Sequence, residues 1–129
     1  MLRNCAEYSY WGVTHEYVKT PPNTVYKEIE KTVLFIDDIG DGGAKHDKFE
    51  RDIRLLTKGL EEEPNNARYM FYLANSYRDC GRLEAKKDAI NWYKKRIEQG
   101  GWDEEIWNSY YHIGNCHYAL KEHEHAIYY

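Results

Sequence analysis

The chain has 129 residues, 31% of them charged with both signs interspersed, and a formal charge of -4. That is enough for one modest core with an appendage, and it excludes the basic stripe that neutralises nucleic-acid phosphates. Aromatics at 16% argue against a disordered chain, and no apolar run approaches the roughly 20 residues of a membrane span.

The N-terminus MLRNCAEYSY lacks the apolar run of a signal peptide. Cys5, Cys80 and Cys116 are widely spaced without any CxxC, which predicts reduced thiols and a cytoplasmic protein. Cys80 and Cys116 are expected to pack as small apolar residues.

From the N-terminus, YSYWGVTHEYV (Tyr8 to Val18) and KTVLFIDD (Lys31 to Asp38) are rich in Tyr, Val, Thr and Ile and flank the breaker run KTPPNT. They read as two strands. FIDDIGDGG (Phe35 to Gly43) offers aspartates before glycines, but it directly precedes the first helical pattern. Asp37 and Asp38 therefore close a strand, and Asp41, Gly42 and Gly43 read as turn residues and not as a metal site.

Beyond residue 44 only helical periodicity appears. Phe49, Ile53, Leu56 and Leu60 share a helix face that ends at EEEPNN, where Pro64 stops it. Further helices are predicted over Ala67 to Asp79, Glu84 to Gln99 and Asp103 to Leu120, with Gly81 and Gly100-Gly101 as stops. HEHAIYY begins a fifth. The fold expected is mainly α, a helix-turn-helix array of four to five helices over 44–129, preceded by a short two-stranded β segment within 1–43.

The helices repeat. YLANSY (Tyr72 to Tyr77) matches HIGNCH (His112 to His117) 40 residues on, aligning Leu73 with Ile113, Ala74 with Gly114 and Asn75 with Asn115. DAINW and HAIYY align Ala89 with Ala126, 37 residues apart. This resembles the tetratricopeptide repeat, a helical hairpin of about 34 residues. Met70, Leu73, Ala74, Tyr77, Ala89 and Tyr93 take the family's positions in one copy, and Tyr110, Ile113, Gly114 and Ala126 take them in the next. Leu56 and Pro64 take those at the tail of an earlier copy. Small residues let paired helices approach, and each unit leaves an apolar face for its neighbour. Arg96 departs from the pattern, standing where a small residue is usual.

In this repeat geometry Arg68, Phe71, Asn75 and Arg78 recur as Asn108, Tyr111, Asn115 and Tyr118 on the concave side. Such a row can hydrogen-bond an extended peptide and stack on its side chains, so a protein or peptide partner is one expectation. An ordinary solvated face is the other.

A wider resemblance spans nearly the whole chain. WGVTHEYV, DGGAKHDKFERDIRLL, NNARYMFYLANSYRDCG and YKKRIEQGGWDEEIW, in this order, resemble the C-terminal part of family-2 glycosyltransferases that carry tetratricopeptide-like helices behind the catalytic domain. Gly100-Gly101-Trp102 with Glu104-Glu105 is the most specific piece. The resemblance implies inverting transfer from a nucleotide-sugar donor, with a divalent metal, manganese or magnesium, held by an aspartate motif. It also places Trp11, Gly12, His15 and Glu16 at the end of the catalytic domain, near the transfer site.

The nucleotide-sugar-binding domain itself is missing. Only 36 residues precede Asp37, with no βαβ unit and no glycine-rich phosphate loop. A catalytically incomplete region is expected, with no cofactor of its own and a catalytic glycosyltransferase domain as a possible partner. His15 and Glu16 suit a metal ligand and a general base, but neighbours on a strand point to opposite faces.

Other candidates have plainer readings. His112 and Cys116 lie one helical turn apart, yet two ligands make no closed zinc site, and HEH at His123 to His125 reads as a solvated helix start. No metal is therefore assigned. Glu61 to Glu63 and Lys86-Lys87 are exposed charge runs, and Trp92 and Trp107, at repeat positions, are expected to be buried.

Overall fold

The computed structural model describes residues 7–37 and 47–129. By contact density the chain divides into Met1–Lys45 and His46–Tyr129, and each is described by itself.

In the first unit β1 (Ser9–Trp11) pairs antiparallel with β2 (Tyr17–Lys19), in register Ser9 with Lys19, Tyr10 with Val18 and Trp11 with Tyr17. Trp11 and Tyr17 meet across the pair with ring centroids 5.5 Å apart and planes tilted by 58°. Gly12 at φ 121° turns the chain; a Cβ there would meet the Thr14 carbonyl oxygen at 3.3 Å.

β1 thus lies in the first predicted run and β2 runs from its end to Lys19, while residues 31–37 of the second run form no strand. Val33 and Leu34 donate backbone N–H groups to the Glu30 carbonyl in a turn. Residues 34–37 are irregular, with Phe35 and Ile36 exposed. β-branched composition makes a strand only where a partner takes its backbone groups. Asp38, Asp41, Gly42 and Gly43, read as strand end and turn, lie outside the described residues.

The second unit is helical: α1 (Lys48–Glu62), α2 (Ala67–Asp79), α3 (Ala85–Glu98), α4 (Asp103–Ala119) and α5 (His123–Tyr128). Each packs on the next, and α2 also touches α4. This places the first helices of successive repeats side by side. The chain is mainly α with a two-stranded antiparallel segment, as its periodicity predicts.

On α1 the buried positions are Asp52, Leu56, Gly59 and Leu60, a stripe of helical spacing. Asn66 caps α2, its Oδ1 accepting the Tyr69 N–H at 3.0 Å. Ala74, Ala89, Ile90, Tyr93, Ile113 and Cys116 form one buried cluster joining α2, α3 and α4. The small residues act where expected. Ala74 and Ala89 are fully buried, and a Cβ on Gly114 would sit 3.4 Å from the Ala126 carbonyl oxygen of α5.

The α3–α4 turn explains the most specific stretch of the sequence. Arg96 is 1% exposed; its Nε donates to Glu105 Oε2 at 2.8 Å, Nη1 to the Gly100 carbonyl at 2.7 Å and Nη2 to the Trp102 carbonyl at 3.4 Å. Gly100 and Gly101 take φ 67° and 90°, values that glycine adopts without a Cβ clash. A buried guanidinium needs its charge paired and its donors used, and this turn meets both needs.

Among the described residues no helix is long and apolar enough to cross a membrane.

Candidate functional site

The predicted groove residues separate into two groups. On α2, Asn75 Oδ1 accepts from the Tyr93 hydroxyl at 2.5 Å and from Arg78 Nη1 at 3.2 Å, and Arg78 Nη1 also donates to the Tyr93 oxygen at 3.0 Å. Arg78 further holds Asp79 through two bonds of 2.6 and 2.7 Å, while its carbonyl accepts from Lys86 Nζ. Phe71 meets Tyr93 edge-on at 6.1 Å, and the Arg68 guanidinium lies 4.8 Å from the centre of the Tyr72 ring.

Tyr93 is fully buried, and burial pushes its phenol pKa up while Arg78 opposes the shift. It therefore stays a neutral donor. His112 stacks on Tyr93 with centroids 5.5 Å apart; burial, aided by the Arg78 charge, lowers its pKa to about 4. At neutral pH this imidazole is uncharged.

On α4, Tyr111, Asn115 and Tyr118 line a cavity of about 430 Å³ together with Gly114 and α5 residues His123, Ala126 and Ile127. Asn115, Tyr111 and Tyr118 are all exposed there. Asn108 instead donates Nδ2 to the Glu104 carbonyl one turn back at 2.9 Å. Trp107 is 64% exposed, contrary to the expected burial, and lies flat on Tyr111 with centroids 5.7 Å apart and planes 3° apart. Trp92 is half-buried with Lys95 Nζ 4.1 Å from its ring centre.

Asn75 is therefore committed to the α2–α3 contact through Oδ1, whereas Asn115, its counterpart 40 residues on, is presented to a cavity. Sequence periodicity could identify both but not this difference. In the second copy Tyr129, the C-cap of α5, aligns with Trp92 and stacks on Tyr110 with centroids 6.2 Å apart.

His15 and Glu16 lie in the loop between β1 and β2 and not on a strand, so alternation of strand faces does not apply to them. Both are exposed, and His15 takes φ 52°. His112 and Cys116 serve packing: Cys116 is buried in the core cluster, and burial raises its thiol pKa, which keeps it protonated.

A constellation absent from the sequence reading sits at the α4–α5 turn. His117 Nδ1 and Glu122 Oε2 lie 2.6 Å apart, and the hydrogen bond with His117 holds the Glu122 carboxyl below its usual pKa. His117 stacks on His125 at 5.1 Å and on Tyr129 at 5.6 Å. Its Nε2 is buried without a hydrogen-bond partner. HEH looks like a solvated helix start in isolation, and only the chain reversal brings His117 to it.

Compared with protein-family models, curated proteins and solved structures, the chain matches none of them.

Proposed function

We propose that the chain is the C-terminal, tetratricopeptide-like helical region of a family-2 glycosyltransferase, in which sugar transfer from a nucleotide sugar belongs to a separate catalytic domain. The observation that carries this reading is the α3–α4 turn. Of the residues that set YKKRIEQGGWDEE apart from a generic repeat, Gly100, Trp102 and Glu105 receive the donors of Arg96, and Gly100 and Gly101 supply the positive φ of the turn. The motif is thus a unit of structure and not a scatter of coincident residues.

The described residues contain no βαβ unit, and the candidate His15–Glu16 pair lies in an exposed hairpin loop. Asp37 is exposed and irregular, and Asp38 and Asp41 lie outside the described residues. Donor binding is accordingly assigned to the catalytic domain, and the helices to holding or positioning a protein.

The test is the genomic sequence upstream of Met1 together with calorimetry on the chain alone. An open frame carrying a strand followed by an aspartate motif is expected, with no heat from UDP- or GDP-sugars and manganese on the isolated chain. An upstream region without coding sequence would overturn the reading.

A second reading, a peptide-binding module in its own right, is favoured by the exposed row Tyr111, Asn115 and Tyr118 at the α4–α5 cavity. It predicts that peptides selected from a displayed library against the chain lose binding on Asn115→Ala and Tyr118→Ala. Unchanged binding by both variants would remove it.

A further inference from the structure

The α4–α5 turn brings three metal-competent side chains together without help from the groove. His117 lies in the last turn of α4, Glu122 is the N-cap of α5 and His125 is the third residue of that helix. The turn is fixed by its backbone: Glu122 N–H donates to the His117 carbonyl at 3.0 Å and Lys121 N–H to the Tyr118 carbonyl at 3.0 Å. This is the 6→1 and 5→2 pattern of a Schellman motif, and it holds the Glu122 side chain beside the His117 ring.

One ligand atom from each of His117, Glu122 and His125 lies within 4.8 Å of the others. Atoms bound at about 2.0–2.2 Å around a tetrahedral ion are about 3.3 Å apart. The closure required is about 1.5 Å, within reach of rotamer changes in His125 and Glu122, which are more open to solvent than His117.

A second observation points the same way. His117 is 8% exposed, yet its Nε2 has no hydrogen-bond partner. With Nδ1 donating its hydrogen to the Glu122 carboxylate, the neutral imidazole keeps the Nε2 lone pair available. Two imidazoles and one carboxylate, with solvent for a fourth position, form a zinc set.

We propose that His117, Glu122 and His125 bind one zinc ion that ties α5 to the end of α4. Because the ligands come from both sides of the turn, the ion fastens a six-residue helix too short to be stable by itself.

The test titrates the full chain with zinc by calorimetry and follows amide exchange in residues 123–128. One equivalent should bind, and exchange in α5 should slow. His125→Ala and Glu122→Gln should each weaken zinc at least tenfold, with circular dichroism unchanged. His123→Ala, which alters a neighbouring exposed histidine outside the cluster, should leave affinity within twofold. The proposal is overturned if the wild type binds no zinc, if His125→Ala and Glu122→Gln bind it as the wild type does, or if His123→Ala weakens it as much as His125→Ala.

Discussion

Arg96 is the largest fully buried side chain among the described residues. It stands at a helix position where the repeat uses a small side chain, and it is buried because Glu105 and two carbonyls receive its donors. Removing one member of a buried pair leaves the other charge uncompensated, so Glu105→Ala should destabilise the helical unit by about 3–5 kcal/mol in urea unfolding. Lys121 shows the opposite economy. It occupies the position equivalent to Gly81, 40 residues on, and both take positive φ, 61° and 80°. A lysine there bears a steric cost that glycine avoids, offset in part by glycine's greater freedom when unfolded. Lys121→Gly should therefore raise stability by about 0.5–1 kcal/mol in the same assay.

His112 adds a pH dependence at this scale. Its folded pKa of about 4 lies below the ordinary 6.5, so between those values the unfolded chain binds the extra proton and stability rises with pH. The native state should lose on the order of 2 kcal/mol as pH falls from 6.5 toward 4, after allowance for partial solvation. His112→Phe keeps a ring on Tyr93 and should flatten this part of the urea-midpoint profile. An unchanged slope would assign the dependence to other groups.

At the scale of elements, closeness between helices depends on what is absent. Gly114 faces Ala126 with room for one methyl group at ordinary contact. Gly114→Ala should be neutral or stabilising by up to about 1 kcal/mol, since alanine also favours the helix. Gly114→Leu would press a branched side chain against the Ala126 carbonyl and Tyr129 and should release α5. Faster amide exchange confined to 123–128 would report that release. Burial of equivalent residues also follows position in the stack. Ile90 lies in the core cluster, whereas Ile127, aligned with it 37 residues on, is 86% exposed. A repeat residue is covered only by the neighbours its own helix has.

For the molecule as a whole, the buried cluster and the α3–α4 clamp lie wholly within His46–Tyr129. A fragment of 46–129 should keep its helical circular dichroism and unfold cooperatively. A fragment without helical signal would show that the N-terminal unit is needed for folding.

Sequence alone determined the helices, because apolar spacing, Pro64 and the glycines at 81, 100 and 101 act over a few neighbouring residues. It also determined the repeat, since the 40-residue register survives in Leu73 and Ile113, both fully buried. What it could not determine depends on partners distant along the chain. KTVLFIDD has strand composition, yet its described residues 31–37 form no strand, because a ladder needs a second backbone. Trp107 has a core side chain and lies exposed on Tyr111. His117, Glu122 and His125 became one cluster, and Arg96 became a buried clamp, only where a turn reversed the chain. Local propensity selects an element, but the meeting of side chains from different elements is set by packing, and packing is decided by the tertiary structure.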